Sequence, residues 1–142
     1  VQGPGVPAGG VIDEPVSTMD LPATFYDYAR VSAGRDLHSR SLRGLIDRSG
    51  ETRDYALNEW DRLAQNAGMD LRLRTVRTKT HKLTVERLSG EGELYDLVND
   101  PHEMDNRWND PGTRAAQQEL LDMLSARPDD ALSQFDELVG FA

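Results

Sequence analysis

The stretch "LRLRTVRTKTHKLTVERL", residues 71–88, predicts the type of fold. Apolar and polar side chains alternate on both sides of Lys79-Thr80, and each half is long enough for a strand. Alternation with a period of two is typical of strands that cover a core with one face. The stretch therefore predicts an antiparallel hairpin that turns near Lys79 and Thr80.

Two neighbouring stretches extend this hairpin into a small sheet. Residues 55–60 (YALNEW) and residues 93–97 (ELYDL) have the residue types that suit strands, which predicts three or four antiparallel strands in all. Further on, residues 112–127 carry a helical stripe of apolar side chains and are followed by Pro128. The stripe consists of Ala116, Leu120, Leu121 and Leu124. A closing helix is therefore predicted after the sheet, and residues 131–139 are expected to form one more short helix.

The link between the last strand and the closing helix has its own local pattern. Asp100 is a residue type that caps helices, Pro101 suits a first helical position, and Glu103 has capping-box spacing. We therefore predict a short capped helix that begins at Asp100.

The first third of the chain is built differently. Residues 1–12 are rich in Gly and Pro and are expected to form a loop. Residues 17–29 predict a helix that begins with a capping box between Ser17 and Asp20. Its apolar side chains at Leu21, Phe25, Tyr28 and Ala29 fall on one face. This face needs a large apolar surface to pack against, and nothing upstream in the sequence supplies one.

Composition limits the classes of partner and chemistry. Of 25 acidic and 16 basic side chains, residues 93–142 hold 12 and 3, which leaves 13 of each before them. An acidic C-terminal third makes nucleic acid and anionic membranes poor partners, and no apolar run is long enough to span a bilayer. The chain contains no Cys, so it has neither disulfides nor a cysteine nucleophile. It begins at Val1 without a Met, which suggests a processed or divided chain.

The sequence carries few signs of a self-contained catalytic centre. The three histidines, His38, His81 and His102, lack metal-ligand spacing, and no Gly-rich stretch has the Lys of a phosphate-binding loop. Trp60 and Trp108 are interpreted as packing anchors rather than sugar platforms, although a sugar substrate would suit an exposed tryptophan. As an enzyme standing alone, this chain is not expected to work.

Several phrases, taken together, resemble a known family. "PGVPAGGVIDEPVSTMDLPATFYDYA", then "SLRGLI", "RTVRTKTHKLTV" and "GELYDLVNDPHEMDN", are similar to the C-terminal part of a formylglycine-dependent sulfatase of the alkaline-phosphatase-like superfamily. The most specific phrases are Pro15-Val16-Ser17-x-x-Asp20-Leu21-x-x-Thr24 and Glu93-Leu94-Tyr95-Asp96-Leu97 with Asp100-Pro101-x-Glu103-x-x-Asn106. The resemblance covers roughly residues 3 to 125.

The resemblance implies an α/β fold in two parts. Residues 1–50 would be the last elements of a large mixed-sheet domain, on which the helix at 17–29 packs. Residues 51–142 would be a small α+β subdomain with a short antiparallel sheet and a closing helix. The N-terminal part of the same enzyme is therefore the expected partner, and self-association is left open.

The activity implied by the resemblance is hydrolysis of a sulfate ester on a small molecule or sugar. The formylglycine nucleophile and the calcium ligands belong to the missing N-terminal part, so no catalytic or metal-binding residue is assigned here and this chain alone is expected to be inactive. Two alternatives stay open. The enzyme can be a phosphonate or phosphate diester hydrolase of the same superfamily, or the chain can be a non-catalytic assembly module.

The small C-terminal subdomain usually borders the active-site pocket in this family, which makes polar side chains at its strand ends candidates for substrate recognition. The candidates are Glu59, Arg77, Lys79 and His81. An Arg can hold an anionic group with two hydrogen bonds, and a His can hydrogen-bond a hydroxyl. The alternative is structural: Arg77 pairs with an acid such as Glu59 or Asp96, and His81 caps a turn.

Overall fold

The computed structural model describes residues 2–3, 5–34, 37–50, 52–62 and 68–127. Helix α1 spans Asp20–Ala29 and is followed by a one-turn helix, α2, at Arg43–Ile46. Four strands follow: β1 at Tyr55–Arg62, β2 at Leu71–Thr78, β3 at His81–Glu86 and β4 at Gly92–Asp96. A 3-10 turn at Pro111–Thr113 leads into helix α3 at Arg114–Ser125. The predicted combination of a small antiparallel sheet and a closing helix is confirmed.

The four strands form one antiparallel sheet in the order β1-β2-β3-β4. Val76 lies opposite Leu83, and Leu83 lies opposite Leu94, so these three side chains share one face. Together with Leu120 of α3 they form the buried core of this part of the chain. Val76, Leu83 and Leu94 therefore meet the helical stripe of α3 in one apolar layer, whereas Leu71 and Leu73 of β2 lie on the opposite face of the sheet.

The hairpin turn lies where the sequence predicts it. Strand β2 ends at Thr78 and strand β3 begins at His81, which leaves Lys79 and Thr80 as the turn. The Thr78 hydroxyl accepts hydrogen bonds from the backbone N–H of Thr80, at 3.2 Å, and of His81, at 2.9 Å. A side chain therefore stabilises a tight turn that contains no glycine.

The prediction of a capped helix at Asp100 is wrong, because residues 101–110 form turns. Asp100 still receives backbone N–H groups, from Met104 at 2.8 Å and Asp105 at 2.9 Å, so it closes a loop instead of a helix. Glu103 has a φ of 57° and its carboxylate pairs with Lys82 at 2.5 Å, which prevents the predicted capping box. The residue types around Asp100 are those of a helix cap, but the Glu103 carboxylate is engaged in an ion pair with Lys82, which is distant in the sequence.

Asn106, the last residue of the stretch that begins at Glu93, binds the edge of β4. Its side-chain oxygen accepts the N–H of Leu94 at 3.1 Å, and its amide nitrogen donates to the carbonyl of Gly92 at 3.3 Å. The next residue, Arg107, donates its backbone N–H to the Leu94 carbonyl at 2.8 Å. The edge of β4 is thus satisfied by a loop rather than by a fifth strand.

The two tryptophans behave differently. Trp108 packs against the core, and a Cβ added to Gly92 would lie 2.7 Å from its ring, so the glycine makes room for the indole. This confirms Trp108 as a packing anchor. Trp60 is 52% exposed, on the sheet face opposite the core. The prediction that it anchors packing is wrong for the described part of the chain.

Helix α1 contacts the rest of the chain through a polar stripe. Asp20 and Thr24 are buried and Asp27 is half-buried, whereas Leu21, Phe25 and Tyr28 are exposed by 36%, 66% and 37%. The capping box forms in one direction, since the Asp20 carboxylate accepts the Ser17 N–H at 2.7 Å. The Ser17 hydroxyl accepts from Met19 instead of Asp20. The helix is confirmed, although it begins at Asp20 rather than at Ser17. Burial of its apolar face stays a prediction about residues outside this chain.

The predicted helix at 131–139 and Pro128 lie outside the described residues. Among the residues that are described, no helix has the length and apolar character needed to cross a membrane.

Candidate functional site

A cleft opens between the β2–β3 turn, the segment before β1 and helix α3. We call it the hairpin cleft; its volume is about 440 Å³. It is lined by Thr52, Arg53, Asp54, Thr78, Lys79, Thr80, His81, Ala116, Glu119, Leu120 and Met123. Cations, carboxylates and hydroxyls surround an apolar patch contributed by α3, a combination that suits a polar ligand with several hydroxyls.

Two of the four predicted recognition residues, Lys79 and His81, line this cleft. The Lys79 ammonium lies 3.1 Å from the Glu14 carboxylate, and this hydrogen bond holds the pKa of Glu14 below its usual range. His81 Nδ1 lies 2.9 Å from the Thr80 hydroxyl. Within the described residues this contact leaves Nε2 as the ring nitrogen without a hydrogen bond to protein, so Nε2 is the atom that can bind a ligand.

Backbone hydrogen bonding by the segment after β4 stabilises the turn that carries these two side chains. The backbone N–H of Leu97, just after β4, donates to the Thr80 carbonyl at 2.8 Å. The Asp96 carboxylate in turn accepts the backbone N–H groups of Val98 and Asn99, at 3.0 and 3.2 Å. The phrase that begins at Glu93 therefore supports the hairpin turn, which gives its polar residues a structural role.

The other two predicted residues, Glu59 and Arg77, do not line the cleft. The Glu59 carboxylate pairs with Arg127 and lies 3.4 Å from the Arg74 guanidinium. It lies toward the end of β1 that is away from the hairpin turn. Arg77 points to the opposite sheet face from Val76 and lies 3.7 Å from Glu103. An ion pair of Arg77 is the structural alternative given above, but its partner is Glu103 rather than Glu59 or Asp96. Their role in substrate recognition stays a prediction.

Arg74 gives a structural role to the ion-pair cluster of Glu59, Asp61, Arg74 and Arg127. Its side chain is buried, and its guanidinium binds Asp61 at 2.5 and 3.2 Å. Hydrogen bonding by Asp61 raises the pKa of Arg74, and the same bond lowers the pKa of Asp61. Because Arg127 follows α3, this network ties the end of the helix to the sheet.

Arg53 was not singled out in the sequence, where it is one of several arginines in a polar loop. It lies at the junction of the hairpin cleft and a second, smaller cleft, of about 230 Å³, that Arg40, Ser41, Gly44 and Gly50 also line. Its guanidinium donates to the Asp20 carboxylate, and both side chains are buried, with 10% and 4% of their surfaces exposed. No local pattern marks Arg53, because its neighbours come from distant parts of the chain.

The charge of Asp20 is stabilised by several donors. Burial by itself would raise its pKa, but hydrogen bonds from Arg53 and from the backbone N–H groups of Arg40 and Ser17 outweigh burial and lower the pKa. The folded chain therefore favours the charged form of Asp20, and its carboxylate fixes both the loop at residue 40 and the Arg53 guanidinium.

No three His, Asp or Glu side chains among the described residues lie close enough together to hold a metal ion. The whole chain lacks Cys. The residues present here do not fit a calcium site or a formylglycine precursor cysteine, so no reaction step is derived from them.

Comparison with solved structures shows the same architecture in sulfatases. A protein solved in complex with its substrate, D-glucosamine-2-N,6-O-disulfate, is 27% identical, with a TM-score of 0.64 over 75% of this chain and 22% of that one. A 2-O GAG sulfatase is 25% identical, with a TM-score of 0.74 over 87% of this chain and 27% of that one.

A phosphonate monoester hydrolase from Silicibacter pomeroyi also matches, at 21% identity and a TM-score of 0.71, over 93% of this chain and 29% of that one. At this identity the match shows a shared fold. This chain thus spans between 22% and 29% of the length of the three solved proteins. No curated protein matches the chain.

The sequence profile of one family covers most of the chain. The family is described as N-sulphoglucosamine sulphohydrolase, C-terminal, and its profile matches residues 2–129. The match includes α1, the whole sheet and α3, and therefore also every segment that lines the hairpin cleft. The chain therefore belongs to the N-sulphoglucosamine sulphohydrolase C-terminal family, and its fold matches the C-terminal subdomain of sulfatases of the alkaline-phosphatase-like superfamily.

Proposed function

We propose that this chain is part of a longer enzyme that hydrolyses a sulfate ester on a sugar. The observation that carries the proposal is the family match over residues 2–129. The similarity to a 2-O GAG sulfatase and to a protein that binds a doubly sulfated glucosamine supports the same substrate class.

The proposed role of this chain is substrate recognition at the hairpin cleft. The Lys79 ammonium attracts a sulfate or carboxylate group, and His81 Nε2 hydrogen-bonds a sugar hydroxyl. Both side chains are carried by one tight turn that the Thr78 hydroxyl and the Leu97 N–H hold in place. A rigid turn limits the conformational entropy lost when the ligand binds.

The formylglycine nucleophile and the calcium ion are proposed to belong to the part of the enzyme outside this chain. When bound, such an ion would stabilise negative charge on the sulfate oxygens. The contribution of this chain is to bind the sugar and to set its orientation toward that centre.

The first experiment separates the enzyme from its C-terminal portion. Turnover of an aryl sulfate is measured with the 142-residue chain and with the longer enzyme that contains it. We expect activity only in the longer enzyme, because the proposed nucleophile and metal ligands lie outside this chain. Activity of the pure 142-residue chain contradicts that assignment, and a longer enzyme that hydrolyses phosphonate or phosphate esters but no sulfate ester contradicts the proposed reaction.

The second experiment tests the cleft in the longer enzyme. Lys79→Ala and His81→Ala should each raise KM for a sulfated sugar by about fivefold, the loss of one hydrogen bond, with little change in thermal stability. Arg87→Ala is the matched control, because this exposed cation lies in the β3–β4 turn. Unchanged KM values in both variants would return Lys79 and His81 to a structural role. The same assay on Arg77→Ala and Glu59→Ala tests the two predicted residues that lie elsewhere.

A further inference from the structure

Arg53 is held by one buried carboxylate and borders two clefts. Its Nη1 donates to Asp20, and this is the contact that the described residues make with its guanidinium. A guanidinium has five N–H donors in a planar fork, so most of its donors remain after this contact.

The remaining donors of Arg53 are not fully enclosed by the described residues. Among the described side chains, the fully enclosed polar atom without a hydrogen bond is Arg74 Nε. The Arg53 donors are therefore not sealed in the protein, although only 10% of the side chain is exposed. A largely buried guanidinium with unused donors at the wall of a cleft is suited to bind an anion, since weak hydration lowers the cost of exchanging water for a ligand.

We infer that Arg53 binds a second anionic group of the saccharide, distinct from the sulfate that is hydrolysed, and that Asp20 positions Arg53 for this task. The inference rests on the proposed function. Lys79, whose ammonium is paired with Glu14 at 3.1 Å, borders the same cleft and adds a second cationic group. A sulfate and a carboxylate each present two oxygens that an Arg can bind with two hydrogen bonds.

The acids in the cleft agree with a saccharide rather than with a simple anion. Asp54 and Glu119 line the same space as Arg53 and Lys79. Carboxylates repel an anion but accept hydrogen bonds from hydroxyl groups. A sugar that carries both kinds of group can place its anion at the cations and its hydroxyls at the acids.

The test uses the longer enzyme and three ligands. Two of them are doubly charged: glucosamine with two sulfates, and monosulfated glucosamine linked to a uronic acid. The third is glucosamine with one sulfate. Arg53→Lys keeps a cation next to Asp20 and removes the planar fork. Arg43→Lys is the matched control, because Arg43 pairs with Asp27 at 3.2 Å and does not line the hairpin cleft.

We expect Arg53→Lys to raise KM about tenfold for at least one doubly charged ligand, and less than about twofold for the monosulfated one. Asp20→Asn should shift the same ratio in the same direction, and Arg43→Lys should leave it unchanged. The ligand that loses affinity shows whether the second group is a sulfate or a carboxylate. Equal KM changes for all three ligands, or no change, overturn the inference.

A crystal structure of the wild-type longer enzyme with the doubly sulfated glucosamine and with the uronic-acid ligand gives a readout that needs neither turnover nor a folded variant. The Arg53 guanidinium should lie within hydrogen-bond distance of the non-reacting anionic group in at least one complex. A complex in which both anionic groups lie away from Arg53 overturns the inference. A wild-type enzyme that hydrolyses no sulfate ester contradicts the proposed function, while the crystal structures still decide the role of Arg53.

Discussion

Helix α1 and the sheet with α3 bury opposite kinds of side chain. The sheet and α3 enclose Val76, Leu83 and Leu94, each 1% exposed or less, in an apolar layer. Helix α1 buries Asp20 and Thr24 against the loop at residues 40–42 and leaves its apolar stripe exposed. One region supplies its own core, and the other is docked by hydrogen bonds.

This difference shows that a helix can be correctly predicted while its environment is not. The stripe of Asp20, Thr24 and Asp27 and the stripe of Leu21, Phe25 and Tyr28 have the same helical spacing, offset by one residue. Within this chain the polar stripe is the one that is covered. The apolar stripe is therefore exposed, and in the proposed longer enzyme burial of its three side chains would be worth about 5 to 8 kcal/mol.

The largest expected effect is at this stripe. In the longer enzyme, Phe25→Ala should lower the free energy of unfolding by about 4 kcal/mol, because it deletes an aromatic ring from a packed interface. In the isolated 142-residue chain, where the ring is 66% exposed, the same change should cost less than about 0.5 kcal/mol. Urea denaturation of both proteins measures the difference. Met104→Ala, which removes a side chain that is 83% exposed, is the control. A small loss in the longer enzyme would mean that the stripe has no partner there.

The second effect tests whether the sheet has its own core. Leu83→Ala should lower the free energy of unfolding by about 3 kcal/mol in the longer enzyme and in the isolated chain alike, since its neighbours all belong to this chain. Leu88→Ala, at a position that is 56% exposed, should change it by less than about 0.5 kcal/mol. Urea denaturation again gives both values. A cost for Leu83→Ala that appears only in the longer enzyme would remove the contrast between the two regions.

A smaller effect is expected at the loop that follows β4. Asp100→Ala removes the acceptor of the Met104 and Asp105 N–H groups and should lower Tm by about 2 to 4 °C. Substrate preference should not change, because the loop lies outside the hairpin cleft. Asn109→Ala, at an exposed position in the same loop, is the control for thermal denaturation. A change in relative kcat/KM among sulfated sugars would contradict a purely structural role for Asp100.

The smallest expected effect is a pH dependence of Tm that arises from Glu86, next to the β3–β4 turn. Hydrogen bonds from the Ser89 side chain and backbone, and from the Leu88 N–H, lower the pKa of Glu86 to about 2. Because the folded pKa lies below the ordinary value of 4.5, Glu86 stabilises the fold above that pH and loses this contribution as the pH falls toward 2. Glu86→Gln should weaken the fall of Tm between about pH 5 and about pH 3, a range that lies mostly between the ordinary pKa of Glu86 and its lowered pKa. NMR titration gives the pKa directly, and an ordinary value for Glu86 would contradict this prediction.

Much of the fold could be predicted because its signals are local. Alternation placed β2 and β3 and their turn at Lys79-Thr80, and the apolar stripe placed α3. The cap at Asp100 was misread for the opposite reason: capping residues describe a possible helix, whereas the Lys82–Glu103 ion pair joins residues from different strands and loops. Long-range pairing of this kind leaves no periodic trace in the sequence.

The candidate site, like the fold, could be predicted from the sequence only where its residues are set by local structure. Lys79 and His81 were predicted from their position at a strand turn, and the turn does border the hairpin cleft. Arg53 and Glu119 were not predicted, because 66 positions separate them along the chain and only the packing of α3 on the sheet brings both to that cleft.

The sequence by itself determined the family, the strands, the hairpin turn and both long helices, since periodicity and turn chemistry depend on residues a few positions apart. Only the tertiary structure decided that α1 docks through Asp20 and Thr24, that Glu59 joins Arg74, and that Asp20 holds Arg53 at the cleft. The physical reason is that burial and ion pairing depend on which distant segments meet, and a charged or apolar side chain has the same sequence pattern whether its partner lies in this chain or outside it.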